Sequence, residues 1–385
     1  MRLVPSGALR ACVYAALPPL LLLAAASPAT ARQPAAPTPL GSEWPLDAQH
    51  FDASRIWRHS QGAGVTVAVV DTGVNARHPD LAGRVLPGTD VTGQATDGRV
   101  DVSADSHGTS VAGVIAGSGG RGRGMAGLAP RATVLPVRVS ADNAADPLAL
   151  ARGIVYATDH GASVINISMV TTDPDPQIRD AVAYARRHDA VVVAAAGNNG
   201  RAGNPVGYPA AFPGVLAVSG TTRDGGFWPS AESGSYVALA APAVDIFSTR
   251  NSGGYLTKDG TSYSAPYVSA AAALLRAAYP AESAGQIIAR LIGTADRPGK
   301  GSDAGSGRDD RFGYGIVDPL KALGAPTPAA GADPLLTAAG AGTPKAAEAT
   351  GGTSGGTVAV LSAVAVAAVA VAGGLLLRRR SRRRT

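Results

Sequence analysis

The stretch Val65-Thr66-Val67-Ala68-Val69-Val70 leads directly into Asp71-Thr72-Gly73, and it decides the fold class. A short run of mainly β-branched residues without polar alternation predicts a strand that is buried on both faces. The polar tripeptide that follows puts a carboxylate at the carboxyl end of this strand. In parallel sheets the binding and reacting residues lie at these ends, so Asp71 is the first candidate functional residue.

Further buried strands are predicted along the chain, with helices between them. Apolar runs occur at Val134–Val139, Val164–Ile167, Val191–Ala194 and Val215–Val218. Helical patterns occur at Ser110–Ala116, Pro147–His160 and Pro176–Arg187. This alternation predicts an α/β fold with a doubly wound, mostly parallel central sheet and helices on both faces. Gly197-Asn198 also follows a predicted strand, which places Asn198 at the same sheet edge as Asp71.

The charge of the chain is unevenly distributed. There are 34 basic and 28 acidic residues, for a formal net charge of +6. Eight basic residues lie in 1–31 and 378–385, which contain no acid, so the remainder has 26 basic and 28 acidic residues, a net charge of −2. This balance argues against nucleic acid as a partner of the folded part. The single cysteine, Cys12, lies in the first segment, which leaves no disulfide framework or cysteine-based metal site elsewhere.

The N-terminal residues indicate export. Residues 1–31 have a basic start, a leucine-rich core and the small residues Ala29-Thr30-Ala31, which predicts a secretory signal peptide. An uncleaved anchor is the alternative, but the apolar core is short for a membrane span. Residues 32–63 form an N-terminal extension whose apolar residues predict packing on the main domain, 64–321.

The C-terminal residues indicate a membrane anchor. Residues 322–356 are rich in Ala, Gly, Pro and Thr, which predicts a disordered linker. Residues 357–377 contain no charge and are long enough for a transmembrane helix, with a low-complexity Ala/Val tail as the alternative. The arginine-rich residues 378–385 then place the tail in the cytoplasm and the main domain outside, by the positive-inside rule.

Three short motifs supply the residue types of nucleophilic catalysis, in the order Asp71-Thr72-Gly73, His107-Gly108-Thr109 and Gly260-Thr261-Ser262. The last precedes an apolar run, Tyr267 to Tyr279, that predicts a buried helix. A serine hydroxyl needs a base to accept its proton, and imidazole titrates near neutrality. The imidazole in turn needs a buried carboxylate that fixes its tautomer. A lone serine at this place is an ordinary helix N-cap, so the combination with Asp71 and His107 carries the catalytic interpretation.

Four segments of this chain resemble the motifs of the subtilisin-like serine proteases. They are Val67–Val74 with His78-Pro79-Asp80-Leu81, Ser106–Gly113, Val191–Asn198 and Gly260–Pro266. The resemblance extends from about Gly64 to Ala322 and implies the subtilisin-like fold.

The resemblance also implies the roles of the site residues. Ser262 is expected to attack the peptide carbonyl, His107 to act as general base and then general acid, and Asp71 to orient His107. The Asn198 side chain and the Ser262 N–H are expected to hold the oxyanion, although Gly-Asn-Asn-Gly also fits a plain turn. Ser168 is expected to contribute to substrate binding, and Ser264 falls at a non-catalytic position.

The chain departs from the family pattern after Val164-Ile165-Asn166-Ile167-Ser168. Many relatives continue with a glycine-rich stretch that lines the pocket for the residue before the cut, whereas this chain has Met169-Val170-Thr171-Thr172. The wall of that pocket is therefore expected to differ. No acidic cluster has the spacing of a calcium loop, so neither a metal nor a cofactor is expected.

The order of segments resembles that of the mycosins, the membrane-anchored subtilisin-like proteases of type VII secretion systems. The resemblance implies an extracytoplasmic serine endopeptidase at the cell membrane, with protein or peptide substrates and a type VII secretion complex as partner. The alternative is a mainly structural component that stabilises a membrane secretion complex. A nutrient-scavenging protease fits poorly with a tether at the membrane.

Overall fold

The computed structural model describes residues 37–95, 97–119, 124–142, 144, 146–298 and 307–337. The strands are β1 Thr66–Asp71, β2 Thr89–Asp90, β3 Thr133–Arg138, β4 Val164–Ile167, β5 Val191–Ala195, β6 Leu216–Thr221, β7 Leu239–Pro242, β8 Ile246–Thr249 and β9 Tyr255–Lys258. The helices are α1 Ala53–His59, α2 His107–Ala116, α3 Pro147–Asp159, α4 Pro176–Arg187, α5 Thr261–Ala278, α6 Ala284–Gly293, α7 Pro319–Gly324 and α8 Pro334–Thr337.

The central sheet has seven strands in the order β2-β3-β1-β4-β5-β6-β7, and every neighbouring pair is parallel. Its central strands are buried along almost their whole length, because helices cover both faces. The α/β architecture with a mostly parallel sheet, predicted from the apolar runs, is thus confirmed. β8 and β9 form a separate antiparallel hairpin.

Two apolar cores lie on opposite faces of the sheet. On one face, α2 and α5 pack against the strands, and α5 is buried on every side from Thr261 to Arg276. On the other face, α3 and α4 cover the strands through Leu150, Ile154 and Ile178. Because β1, β4 and β5 are neighbours, their carboxyl ends form one continuous edge of the sheet.

The segment that precedes β1 is packed on the domain through its aromatic residues. Trp44 Nε1–H donates to Val244 O at 3.0 Å, and Trp57 Nε1–H donates to Leu128 O at 2.9 Å. Phe51 and Ile56 are buried beside them. Burial of one large apolar side chain stabilises a fold by about 1.5–3 kcal/mol, so this segment is an integral part of the domain.

The chain after α7 corrects the linker prediction for residues 322–337. Pro328 O accepts the amide N–H of Gln286, and Asp333 forms an ion pair with Arg186. The guanidinium of Arg290 donates to the carbonyl oxygens of Ala322 and Ala325. Composition predicted disorder here, but backbone carbonyls that accept from buried side chains hold the segment in place.

The predicted signal peptide and the predicted segments 357–377 and 378–385 lie outside the described residues. Within the described ranges, no helix combines the length and the apolar character that a membrane span requires.

The packing of residues 322–337 on the domain depends on the buried side chain of Arg290. Its guanidinium bonds Glu282 at 2.7 and 2.5 Å and lies 3.9 Å from the ring centre of Tyr279. We expect Arg290→Ala to lower the free energy of unfolding by about 3–5 kcal/mol, because Glu282 would remain as a buried, uncompensated charge. Urea unfolding measures the change.

Arg179→Ala is the matched control for this prediction. Arg179 also pairs with a carboxylate, that of Asp180, but its side chain is 56% exposed. A surface pair of this kind contributes about 0–1 kcal/mol. Equal losses in the two variants would contradict the central role of Arg290.

Candidate active site

Asp71 and His107 form a buried pair at the carboxyl edge of the sheet. His107 Nδ1 lies 2.7 Å from Asp71 Oδ1, and Asp71 has no exposed surface. The same carboxylate oxygen accepts the Thr72 N–H at 2.8 Å. A carboxylate can only accept, so Nδ1 carries the proton in the neutral ring and Nε2 keeps its lone pair. The arrangement can accept a proton at Nε2.

The first turn of α2 is fixed by two side chains from the segment that precedes it and by one from the turn after β1. The N–H groups of His107, Gly108 and Thr109 donate to Ser103 Oγ, Thr72 Oγ1 and Asp101 Oδ2 at 2.9, 3.0 and 2.9 Å. These are N–H groups that a helix cannot pair internally. Because these N–H groups have acceptors, α2 begins at His107 and not at Ser110, where its apolar pattern starts.

Asp101 is a site residue that the sequence motifs did not reveal. Its Oδ1 accepts the hydroxyl of Thr72 at 2.9 Å, and its Oδ2 accepts the hydroxyl of Thr109 at 2.7 Å. It therefore joins the Asp71-Thr72 turn to the helix that carries His107. A polar residue six positions before a candidate catalytic histidine was the available signal, but polarity alone does not indicate burial.

Two opposed effects set the pKa of His107. Burial lowers the pKa of the ring, and the neighbouring Asp71 carboxylate raises it by charge and hydrogen bonding, with smaller contributions from Asp105 and Asp101. The net pKa lies above the usual value. The ionised Asp71 thus stabilises the imidazolium that would form on proton transfer.

Ser262 lies in the first turn of α5 and is held by the loop after β4. Pro266, four residues later, has no N–H, so the carbonyl oxygen of Ser262 lacks its helical donor. The hydroxyl of Ser168 donates to this oxygen at 3.0 Å. Asn166 Nδ2–H donates to Ser168 Oγ at 3.0 Å, and Ser269 Oγ–H donates to Asn166 Oδ1 at 2.8 Å. Ser168 therefore positions the turn that carries Ser262.

The Ser262 hydroxyl faces the same loop. Its Oγ–H donates to Ser168 O at 3.1 Å, and the residue is buried, with 9% of its surface accessible. Among the described residues no hydrogen bond joins Ser262 to His107 in this conformation. Tyr263, the next residue, packs beside the His107 ring with 6.3 Å between ring centres. A rotation about the Cα–Cβ bond is the movement that would turn Oγ away from Ser168.

Asn198 is exposed and its amide is fixed in one orientation. Its Oδ1 accepts the N–H and the hydroxyl of Thr261, both at 2.9 Å. Because a backbone N–H can only donate, the oxygen must face Thr261. The Nδ2 group lies 3.6 Å from the position of a Cβ on Gly260, at the beginning of α5. It is thus a donor beside Ser262 that a substrate can reach.

Ser264 belongs to the fold. Its side chain is fully buried, and Oγ–H donates to the carbonyl oxygens of Ala241 and Pro242 at 3.0 and 3.1 Å. This serine ties α5 to the end of β7. Of the two serines in the Gly260–Pro266 motif, Ser262 is the one that contacts the loop after β4 and retains some accessible surface.

Residues Met169 and Val170 have different environments. Met169 is buried in the core of the α3/α4 face. Val170 is half-buried, and its Cγ1 lies 2.9 Å from the position that a Cβ on Gly207 would take. The departure from the family pattern thus places one apolar side chain, Val170, at the loop that follows Ser168. Within the described ranges, no group of three or more His, Asp or Glu side chains has the geometry of a metal site.

The fold is an α/β fold with a parallel central sheet, which carries the buried Asp71–His107 pair at its carboxyl edge and Ser262 in the first turn of α5. Residues 62–315 match the model of the Subtilase family, Peptidase S8, and the chain belongs to this family. It is a subtilisin-like serine endopeptidase.

Individual relatives agree with this assignment. The chain is 38% identical to thermitase from Thermoactinomyces vulgaris, over 69% of this chain and 93% of that protein. It is 35% identical to mycosin-3 from Mycobacterium tuberculosis, over 69% of each. The solved structure of MycP3 protease from the type VII (ESX-3) secretion system superimposes with a TM-score of 0.63 at 35% identity and covers 74% of this chain and 88% of that one. The chain is therefore related to the mycosins.

The Asp71–His107 contact predicts how the pKa of His107 responds to substitution of Asp71. We expect Asp71→Asn to lower the pKa of His107 below its usual value, because burial of the ring persists while the carboxylate charge is lost. NMR titration of isotope-labelled histidine measures the pKa.

Asp105→Asn is the comparison variant for this titration. It removes a charge whose effect on His107 is smaller than that of Asp71, so a smaller decrease is expected. An unchanged pKa of His107 in Asp71→Asn would show that the contact does not control the ring.

Proposed function

We propose that the chain is an extracytoplasmic, membrane-anchored endopeptidase in which Asp71, His107 and Ser262 act as a catalytic triad. The observation that carries the proposal is the buried contact of 2.7 Å between His107 Nδ1 and Asp71 Oδ1. It is supported by Ser168 and Asn198, which bind the two ends of the turn that carries Ser262.

The proposed reaction begins with attack on the substrate carbonyl. Ser262 Oγ bonds to the carbonyl carbon as its proton passes to His107 Nε2, and Asp71 stays ionised. The resulting oxyanion accepts from Asn198 Nδ2–H and from the Ser262 N–H, which as a first-turn N–H of α5 needs no helical acceptor. In subtilisin, a member of the same family, loss of one such asparagine reduces turnover by about 10²–10³-fold.

The second half of the reaction releases both products. His107 gives its proton to the leaving amine as the peptide C–N bond breaks, which leaves an acyl group on Ser262. Water then takes the place of the amine and bonds to the acyl carbon as it gives a proton to His107. The bond from that carbon to Ser262 Oγ breaks as His107 returns the proton to Oγ, which releases the carboxylic acid and restores the serine. Every proton that is transferred passes through His107 Nε2. The tautomer that Asp71 fixes therefore serves both halves of the reaction.

We further propose a role in type VII protein secretion. The support is the likeness to mycosin-3 and to MycP3, which is described as part of the ESX-3 secretion system. The membrane anchor at 357–377, the signal peptide at 1–31 and the cytoplasmic tail stay predictions from the sequence.

Labelling with a fluorophosphonate probe tests the nucleophile. We expect the wild-type protein to react and Ser262→Ala to lose at least about 10³-fold of the labelling rate, because the probe traps an activated serine. Ser264→Ala is the matched control and should still react, since Ser264 bonds only within the fold. Labelling of Ser262→Ala at the wild-type rate would contradict the proposed triad.

A second function, support of a secretion complex without proteolysis, is favoured by the same likeness to MycP3. Complementation of a deletion strain distinguishes the two functions. We expect Ser264→Ala to restore secretion and Ser262→Ala, at equal protein level, to fail. Restoration by Ser262→Ala would favour the structural role.

A further inference from the structure

Glu232 is a buried carboxylate directly beneath the loop that carries Asn198. Its side chain is 1% exposed, and Oε1 accepts the backbone and side-chain N–H groups of Asn199, both at 3.2 Å. The other oxygen, Oε2, is buried and has no hydrogen-bond partner in the ranges that the structure describes. No ion pair of Glu232 forms there either. An unpaired buried carboxylate is costly, so its presence needs an explanation.

The carboxylate occupies a space that two glycines keep open. A Cβ on Gly197 would lie 2.2 Å from Oε2, and a Cβ on Gly207 would lie 3.0 Å from the same oxygen. A side chain at Gly197 would collide with the carboxylate, and one at Gly207 would collide first with Ala196 O, 2.4 Å from the Cβ position, and then with the carboxylate. Gly197 directly precedes Asn198, so Oε2 lies under the backbone that presents the proposed oxyanion donor.

Val170 also borders this space. A Cβ on Gly207 would lie 2.9 Å from Val170 Cγ1, so an apolar methyl group and Oε2 both lie within 3.0 Å of one point. Val170 follows Ser168 by two residues, and Ser168 contacts Ser262. Val170, on the loop after β4, and Gly197 and Gly207, on the loop after β5, thus lie around Glu232 Oε2, near the turn that carries Ser262.

A substrate carbonyl held by Ser262 and Asn198 directs one side chain between these loops. It is the side chain of the residue that supplies the attacked carbonyl, which we call the P1 side chain. It would first meet the methyl groups of Val170 and then the carboxylate. Lys and Arg side chains have this order of groups, an apolar stem followed by a cationic head.

We propose that Glu232 forms the base of the P1 pocket and selects substrates with a lysine before the cleaved bond. The inference rests on the proposed catalytic roles of Ser262 and Asn198. Only one carboxylate oxygen is free, since Asn199 binds the other. A single free oxygen suits the compact ammonium of Lys better than the fork of Arg, which pairs with both oxygens.

The ionisation of the carboxyl group gives a second signature. Burial raises the pKa of Glu232 to about 7. The facing titratable group among the described residues is Tyr236, whose own pKa burial raises above the ordinary tyrosine value, so it stays neutral. The Glu232 carboxyl is therefore largely neutral well below pH 7 and charged above it. Selection for a cation should increase with pH across this range.

The test compares two peptides that differ only at P1, one with lysine and one with norleucine, which has a similar stem without the charge. In the wild-type protein we expect kcat/KM for the lysine peptide to exceed that for the norleucine peptide by about 10-fold or more at pH 8, the scale of a close buried charge pair. In Glu232→Gln, whose amide oxygen can still accept from Asn199, the ratio should fall to about 1–3.

Glu43→Gln is the matched control. Glu43 is likewise buried, its pKa is likewise raised to about 7, and it accepts the N–H groups of Leu40 and Ala126 on a part of the domain that does not contact Glu232. It should keep the wild-type ratio. A ratio that is unchanged in Glu232→Gln, or near 1 in the wild-type protein, overturns the assignment.

Two readouts keep the proposals separable. Fluorophosphonate labelling is measured on each protein: a wild-type protein that does not label contradicts the proposed triad, whereas a labelled protein without lysine selection contradicts only the role of Glu232. If Glu232→Gln does not fold, the wild-type ratio is measured from pH 6 to pH 8. His107 acts on both peptides alike, so its titration does not change the ratio of their kcat/KM values. A ratio that increases with pH therefore supports selection by the charge of Glu232, and a ratio that is constant with pH overturns it.

Discussion

The carbonyl oxygen of Ser262 has no helical donor, because Pro266 lacks an N–H at the position that would supply it. An unsatisfied carbonyl in the buried first turn of α5 would be costly, and Ser168 satisfies it. The bond connects the helix to the end of β4, and the bond from Thr261 to Asn198 connects it to the end of β5. The long buried helix α5 is thus fixed, at its first turn, against two adjacent strands of the sheet.

Three carboxylates near this turn differ in how they are neutralised. Asp71 bonds His107 through Oδ1, Asp101 accepts five hydrogen bonds from Thr72, Ser103 and Thr109, and Glu232 bonds Asn199 through Oε1. Among the described residues, Asp71 Oδ2 and Glu232 Oε2 have no hydrogen-bond partner. A fully hydrogen-bonded carboxylate acts as a rigid connector, whereas a half-satisfied one remains able to bind a cation. Hydrogen bonding therefore separates a positioning role for Asp101 from the substrate-binding role that we propose for Glu232.

The sequence predicts what depends on local patterns and misses what depends on distant partners. The apolar runs predict β1, β3, β4, β5 and β6, since buried parallel strands are continuous in sequence. They miss β7, whose Leu-Ala-Ala-Pro lacks β-branched residues, and the two-residue β2. The starts of α2 and α5 lie earlier than the apolar patterns indicate, because side chains remote in sequence satisfy their first N–H groups. The same limit hides Asp101 and Glu232, which have no motif around them and come close to the candidate site only through folding.

The departure at Met169-Val170 shows how chemistry and substrate choice can change independently on one loop. Ser168 acts on the first turn of α5 through its hydroxyl and its backbone carbonyl, and neither contact involves the residues that follow. Val170 presents only its methyl groups to the pocket, and the acidic group comes from a separate loop, at Glu232. Substitution of Val170 by glycine would therefore widen the path to the carboxylate while the bonds between Ser168 and Ser262 persist. The loop after β4 thus fixes the turn of Ser262, the proposed nucleophile, through one residue and borders the proposed substrate pocket through another, so the two roles can change separately.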